Sequence, residues 1–146
     1  MDRRQMIDYI SEKVEAASDE DLESLYWMLV EEFGGVLPDT MEELLKFPGV
    51  GRKVANLLLG DIYHKGGIVA DTHCIRICGR FGMYPQTLKD PVKVEKIMGE
   101  LLPVEEQSDF CHRIVQFGRD VCSARAPKCG ECPLRELCEM GKKQAL

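Results

Sequence analysis

Four cysteines lie within seventeen residues near the C-terminal end, in the stretch CSARAPKCGECPLRELC. They are Cys122, Cys129, Cys132 and Cys138, which gives the spacing C-x6-C-x2-C-x5-C. Four thiolates this close together can bind a zinc ion or an iron–sulfur cluster. Structural zinc sites commonly combine two C-x2-C pairs, and this stretch contains one. The spacing therefore favours a [4Fe–4S] cluster, with zinc as the alternative.

The rest of the composition is typical of a protein of the reducing cytoplasm. The chain of 146 residues contains seven cysteines, an odd number. Its N-terminal stretch lacks the apolar core of a signal peptide, and no apolar run is long enough to span a membrane. In such a compartment, clustered cysteines indicate a metal or cluster site rather than disulfides. We expect a cytoplasmic protein with no membrane partner.

The net charge of −6 is unevenly distributed. Residues 1–46 contain thirteen acidic and four basic side chains, whereas residues 47–146 contain twelve acidic and fifteen basic ones. A nucleic acid responds to a local basic surface rather than to the sum over the chain. The later part of the chain is therefore compatible with DNA binding, although an acidic helical segment beside a neutral body has the same pattern.

Apolar residues recur with helical periodicity along most of the chain. Residues 94–101 carry them at i, i+3, i+4 and i+7, after Asp90 as N-cap and Pro91 as first helical residue. Thr40 and Glu43 form a capping box for a short helix that ends near Phe47. Further helices are predicted for residues 3–16, for 19–33 with Ser18 as N-cap, and for 105–118, and GGIVA (66–70) is the only strand-like run. The fold class is therefore all-α.

The segment MEELLKFPGVGRKVANLLLG predicts two helices joined by a tight turn. The glycines of this turn permit positive φ angles and leave backbone N–H groups open at the start of the second helix, which favours an anion. A DNA phosphate could bind there, at Gly49, Val50, Gly51 and Arg52. The alternative is a plain helical corner. The second helix is expected to direct Val54, Leu57 and Leu58 inward.

Lys53 lies just inside this second helix. Most lysines are solvated surface charges. Here the helix dipole and the neighbouring Arg52 both oppose protonation of the amine. Lys53 is therefore a candidate nucleophile.

The segment VADTHCIRICGRF begins another helix at Asp71. Asp71 is most simply an N-cap, but a carboxylate held rigidly at a helix start could also stabilise a developing cation. Cys74, Cys78 and Cys111 fall outside the four-cysteine pattern and are interpreted as small core residues. Within that pattern, Arg125 and Lys128 lie on a loop held at both ends, where they could contact phosphate or serve solubility alone.

Three segments occur together and in order: LKFPGVGRKVAN, VADTHCIRICGRFG and CSARAPKCGECPLRELC. Together they closely resemble the endonuclease III family of DNA glycosylase/AP lyases, from about Phe33 to Glu139. The resemblance implies a helix-hairpin-helix DNA glycosylase fold, with an incomplete helical barrel in residues 1–67 (hairpin about 40–60) and a cluster domain in residues 68–146. It also implies repair of double-stranded DNA that contains oxidised pyrimidines or abasic sites, at the nucleoid of a prokaryote.

By this resemblance, Lys53 matches the family's Schiff-base lysine and Asp71 its catalytic aspartate. The resemblance implies attack of Lys53 on C1′ of the deoxyribose, followed by β-elimination. It also implies a [4Fe–4S] cluster that holds Arg125 and Lys128 against DNA, with the four matching ligands Cys122, Cys129, Cys132 and Cys138.

The chain departs from the family pattern ahead of the hairpin, where forty-seven residues precede Pro48. The family's LLSAQ-like helix, which supplies a residue that fills the gap left by the flipped base, is missing here. A segment resembling GFYRNKA is missing too. Missing helices would expose apolar surface, a route to self-association. Two other functions stay open: a catalytically impaired iron–sulfur DNA-binding remnant and a zinc-bearing interaction module.

Overall fold

The structure, a computed structural model, describes residues 18–143. The helix predicted for residues 3–16 lies outside the described residues. The chain divides into two compact units, Met1–Gly51 and Arg52–Leu146. The predicted domain boundary between residues 67 and 68 is a different division, and it stays a prediction.

The first described helix of the N-terminal unit, α1, spans Asp19–Trp27. Ser18 is its N-cap, as predicted, and the Ser18 hydroxyl accepts a hydrogen bond from the backbone N–H of Asp21 at 3.1 Å. The chain continues as a π-helix over Met28–Glu32, where an α-helix to residue 33 was predicted. The start of this segment is therefore confirmed, whereas its second half has the wider helical geometry.

The predicted capping box starts helix α2, Met41–Leu44. The Thr40 hydroxyl accepts from the backbone N–H of Glu43 at 3.3 Å and donates to the carboxylate of Glu43 at 2.6 Å. Beyond α2, the buried ring of Phe47 stacks on Phe33 with centroids 5.2 Å apart. The turn that follows has a φ of +77° at Gly49, whereas Gly51 takes no positive φ. Only Gly49 therefore needs a glycine for its backbone conformation.

All regular secondary structure in the described part of the C-terminal unit is helical. Its N-caps include Asp90, whose carboxylate accepts from the backbone N–H groups of Val92 and Lys93, as predicted. The elements are α3 (Arg52–Asp61), α4 (Thr72–Phe81), α5 (Pro91–Leu101), α6 (Val104–Asp120), two 3-10 turns (Cys129–Glu131 and Arg135–Leu137) and α7 (Glu139–Lys143). Residues 66–70 form no strand. Within residues 18–143 all regular secondary structure is helical, so the all-α prediction is confirmed.

The core of this unit lies around α4 and α6. Ile77 of α4 is fully buried, as are Val94 and Met98 of α5. Cys74 and Cys78 are also fully buried, with their sulfurs 4.0 Å apart. The hydrogen bond to Cys78 and burial raise the pKa of Cys74, which therefore stays a packed thiol.

The buried face of α3 differs from the prediction. Val54 and Leu57 are each 39% exposed, and the buried residues are Ala55, Asn56, Leu59 and Gly60. Gly60 comes close to α6, because a Cβ at this position would lie 3.2 Å from Cβ of Ser108. Small residues thus let α3 approach α6 closely, which turns the larger Val54 and Leu57 outward.

Gly118 allows α4 and α6 to approach closely, and this gives a stability prediction. A Cβ at Gly118 would collide with Nδ1 of His73 and lie 3.0 Å from Cδ1 of Ile77. We expect Gly118→Ala to lower the free energy of unfolding by about 1–3 kcal/mol, measured by urea denaturation.

Gly99 supplies the matched control for this prediction. It lies within α5, and a Cβ there would meet no atom within 4 Å. Gly99→Ala should therefore raise the free energy of unfolding by about 0.5–1 kcal/mol, because alanine lowers the backbone entropy of the unfolded chain. Equal effects of the two substitutions would contradict the close approach at Gly118.

Candidate active site and cluster loop

Asp71 is the N-cap of α4 and is half-buried. Its Oδ1 atom accepts hydrogen bonds from the backbone N–H groups of His73 at 2.9 Å and Cys74 at 2.8 Å. These two bonds fix the carboxylate at the positive end of the helix dipole. Asp71 therefore has the structural role considered from the sequence, and the same bonds hold its negative charge in a defined orientation.

The segment that leads into Asp71 is fixed by three side chains from α3 and α6. The Asn56 side-chain amide donates to the carbonyl of Ile68 at 3.0 Å. The Gln107 side-chain carbonyl accepts from the N–H of Gly67 at 2.8 Å, and Sγ of Cys111 accepts from the N–H of Val69 at 3.2 Å. Because this segment forms no helix or strand, these side chains supply the hydrogen-bond partners that its backbone N–H and carbonyl groups need.

The sequence pattern did not predict this role of Asn56 and Gln107. Each is 5% exposed, and they are the buried polar residues of the described chain. A buried amide is normally retained where its hydrogen bonds are needed, since burial of an unpaired polar group is costly. Their signal in the sequence is an amide on an otherwise apolar helix face, as in VANLLLG.

Lys53 is the second residue of α3, and its side chain is exposed. It borders a cavity with about 500 Å³ of empty volume, part of it open to solvent. Ala70, directly before Asp71, borders the same cavity, whereas Asp71 itself is not part of the lining. The cavity is lined by Arg52, Lys53, Asn56, Ala70, Pro91, Val92 and Glu95. The structure therefore brings Lys53 and the residue next to Asp71 to one concave surface within the C-terminal unit.

Arg52 is engaged by Glu95 of α5. Its Nη2 donates to Oε1 of Glu95, and its Nε donates to Oε2 at 3.2 Å. This hydrogen bond and the charge of Glu95 raise the pKa of Arg52. The carboxylate of Glu95 thus compensates the guanidinium charge of Arg52 beside the cavity.

The four cysteines of the C-terminal stretch border one cavity. Cys122 and Cys138 are buried, and Cys129 and Cys132 are half-buried. The cavity has about 340 Å³ of empty volume, part of it open to solvent, and its other walls include Phe81, Phe117, Val121, Pro127 and Met140. Among residues 18–143, no three His, Cys, Asp or Glu side chains are placed to hold a single metal ion. The four cysteines instead surround a larger space.

The environment of the Cys129 thiol disfavours its ionisation. Desolvation raises the pKa of Cys129, and the neighbouring thiols of Cys122, Cys132 and Cys138 raise it further. Binding of iron would oppose this effect, because a cationic centre favours thiolates. A cavity bordered by four cysteines fits an iron–sulfur cluster, since such clusters are held by four cysteine thiolates.

Arg125 and Lys128 lie between the first two cysteines and are both exposed. The loop that carries them is closed by a hydrogen bond from the N–H of Lys128 to the carbonyl of Val121 at 2.9 Å. The hydroxyl of Ser123 accepts from the N–H of Ala126 at 3.2 Å. The loop therefore has a defined backbone with both cationic side chains accessible.

Comparison with known proteins agrees with these features. A family model described as a helix-hairpin-helix motif matches residues 32–60, and one described as the iron–sulfur binding domain of endonuclease III matches residues 122–138. The endonuclease III of Bacillus subtilis (strain 168) is 40% identical over 125 residues, which are 85% of this chain. The chain belongs to the endonuclease III family. The resemblance and the predicted [4Fe–4S] cofactor are thereby confirmed.

Other members of the endonuclease III family agree with this assignment. The endonuclease III of Synechocystis sp. is 43% identical over 111 residues, 75% of this chain and 50% of the relative. A solved structure described as a trapped endonuclease III–DNA covalent intermediate has a TM-score of 0.76 and 37% identity, and the match covers 87% of this chain and 59% of that one.

The chain spans about half the length of the curated relatives that it matches, 56% in the case of the Bacillus subtilis protein. The helix-hairpin-helix DNA glycosylase fold with a C-terminal cluster loop is confirmed by these matches and by the helical structure. Within residues 18–143, no helix has the length and apolar character needed to cross a bilayer.

Proposed function

We propose that this chain is a base excision repair DNA glycosylase/AP lyase that acts on double-stranded DNA with oxidised pyrimidines or abasic sites. The observation that carries the proposal is the cavity shared by Lys53 and Ala70, with Asp71 fixed directly after it. This arrangement offers an amine nucleophile and an oriented carboxylate. A similar solved structure is described as a trapped endonuclease III–DNA covalent intermediate. An amine nucleophile would likewise form a covalent bond to its substrate.

Lys53 acts as the nucleophile in the first half of the proposed reaction. Its neutral amine attacks C1′ of the deoxyribose, and the bond from C1′ to the damaged base breaks. The base departs with the electron pair of that bond and a proton. Asp71 assists removal of the proton from the amine and stabilises the positive charge that develops on the sugar. The sugar ring then opens, with protonation of O4′, and C1′ becomes an iminium carbon bound to Lys53.

The iminium makes the proton on C2′ acidic in the second half of the reaction. Loss of that proton expels the phosphate from C3′, so the strand is cut on the 3′ side of the lesion. Water then hydrolyses the bond between Lys53 and the sugar and restores the amine. At an abasic site the reaction begins with attack of Lys53 on the aldehyde of the open sugar, and no base is lost.

DNA contacts are proposed for two groups of residues. The first is the hairpin turn, Gly49, Val50 and Gly51, with Arg52 at the start of α3. The N–H of Val50 already donates to the carbonyl of Phe47 at 3.1 Å, so the proposed phosphate contacts fall on the backbone N–H groups on either side of it, at the start of a helix. The second is the exposed pair Arg125 and Lys128. Such contacts position the duplex without reading its sequence. A protein of this kind would be found at the nucleoid of a prokaryotic cell.

Four cysteines are proposed as the cluster ligands. When bound, the [4Fe–4S] cluster ties a loop with little regular structure into one conformation, which keeps Arg125 and Lys128 in place. The proposed ligands are Cys122, Cys129, Cys132 and Cys138, which border one cavity.

Self-association is proposed for the N-terminal unit. Its large exposed side chains include Tyr26 at 57%, Trp27 at 56% and Val36 at 68%. Exposed apolar side chains that form a contiguous patch normally mark an interaction site. Sedimentation velocity would detect the association as a concentration-dependent species.

The DNA-contact proposal predicts a change in salt dependence. Arg125→Ala should reduce the slope of log K against log salt concentration by about one, because one phosphate contact is lost. Fluorescence anisotropy with an abasic duplex at several salt concentrations measures this slope. Arg113→Ala is the control, because Arg113 is exposed and paired with Asp109 at 2.9 Å. An unchanged slope for Arg125→Ala would remove this residue from the interface.

A cleavage assay tests the proposed function. The whole chain should nick a duplex at an abasic site and leave a 3′ end that carries the unsaturated sugar. Binding of the duplex without cleavage would contradict the proposal and support a catalytically impaired DNA-binding protein. Zinc in place of iron in metal analysis would contradict the proposed cluster.

A further inference from the structure

Arg80, near the C-terminal end of α4, donates hydrogen bonds to the first part of the cysteine-rich loop. One guanidinium nitrogen, Nη1, donates to Sγ of Cys122 at 3.2 Å and to the carbonyl of Ser123 at 2.7 Å. The other, Nη2, donates to the carbonyl of Ala124 at 2.8 Å. A planar guanidinium suits this task, because its donors are fixed relative to one another. One side chain therefore holds three consecutive residues, the first of them a proposed cluster ligand.

The contact with sulfur distinguishes Arg80 from its neighbour on the same helix. Arg76 also reaches this loop, but its Nη2 donates to the backbone carbonyl of Cys122 at 3.0 Å. Arg80 additionally borders the cavity that the four cysteines surround. Its positive charge therefore lies directly against the sulfur of Cys122, in a partly buried setting where charge interactions are weakly screened.

We propose that Arg80 is a positioning residue for the [4Fe–4S] cluster. Arg80 fixes the ligand Cys122, and its positive charge favours the more reduced state of the cluster. This inference rests on the ligand set given under the proposed function. Groups that hydrogen-bond to metal ligands orient them and tune the metal, and their loss typically lowers metal affinity or activity about 10–100-fold. A cation beside the thiolates stabilises added negative charge, so its removal makes the reduction potential more negative.

Two substitutions separate the geometric effect from the effect of charge. Arg80→Met removes the charge and all three hydrogen bonds. Arg80→Lys keeps the charge but loses the planar arrangement of donors that the guanidinium provides. We expect Arg80→Met to release iron to a chelator about 10–100-fold faster than the unaltered chain, and Arg80→Lys to show a smaller increase. The reduction potential should become more negative in Arg80→Met and stay nearly unchanged in Arg80→Lys. Visible absorbance and iron analysis follow the release, and protein-film voltammetry gives the potential.

Arg113→Met is the matched control, because Arg113 is exposed on α6 and pairs only with Asp109 among the contacts of its side chain in the described residues. It should release iron at the rate of the unaltered chain. The inference on Arg80 is overturned if Arg80→Met and Arg80→Lys both release iron at that same rate, or if Arg113→Met accelerates release equally. If Arg80→Met does not fold, the rate of iron release from Arg80→Lys is used instead, provided that its circular dichroism spectrum matches that of the unaltered chain. A rate equal to that of the unaltered chain then overturns the inference. An unaltered chain that contains no iron would instead contradict the ligand set itself.

Discussion

Lys53→Ala is expected to lower the rate of strand cleavage at an abasic site by about 10³-fold or more, because the substitution removes the proposed nucleophile. DNA affinity should change little, since the bond to C1′ forms only after the duplex has bound. The rate is measured in single-turnover assays with enzyme in excess over an abasic duplex. Folding should be unaffected, because the Lys53 side chain is exposed.

Lys96→Ala is the control for Lys53→Ala. Lys96 is an exposed lysine of α5 and belongs to neither the cavity nor the cluster loop. Its removal changes the net charge by the same amount, so any loss of binding from charge alone appears in both variants. Equal cleavage rates of Lys53→Ala and the unaltered chain would exclude Lys53 as the nucleophile.

Asp71→Asn is expected to lower the cleavage rate by about 10²–10⁴-fold with little loss of stability. Asparagine retains an oxygen that can accept from the N–H groups of His73 and Cys74, and asparagine and aspartate are about equally good N-caps. The substitution therefore removes the negative charge while preserving the cap. Single-turnover cleavage and urea denaturation of the same preparation measure the two effects separately.

Asp71→Ala completes this comparison, because alanine removes both the charge and the cap. Its free energy of unfolding should fall by about 1 kcal/mol relative to Asp71→Asn, with a similar loss of activity. If Asp71→Asn cleaves at the rate of the unaltered chain, Asp71 is a structural N-cap without a role in the reaction.

The features that were predicted correctly depend on residues close together in the chain. Ser18, Thr40 and Asp90 cap the helices that follow them, since a cap acts within the first turn. The four cysteines border one cavity because short loops connect them. The family assignment followed from three such local segments in a fixed order.

The features that were missed depend on contacts between distant segments. Asn56 reaches the carbonyl of Ile68, and Arg52 pairs with Glu95, forty-three residues away. Helical periodicity alone placed Val54 and Leu57 inward, but Gly60 brings α3 close to α6 and so selects another face. The contacts of Arg80 could not be predicted from the sequence, because its partners lie forty-two to forty-four residues later. No local pattern encodes such pairs.

The proposed role of Lys53 as nucleophile can be tested by borohydride trapping on an abasic duplex, followed by peptide mapping of the adduct. Reduction converts the transient bond between the amine and C1′ into a stable one, so the modified residue identifies the nucleophile. We expect a single covalent protein–DNA species with the sugar attached to Nζ of Lys53. An adduct on another amine, or no adduct from a preparation that binds the duplex, would exclude Lys53 as the nucleophile.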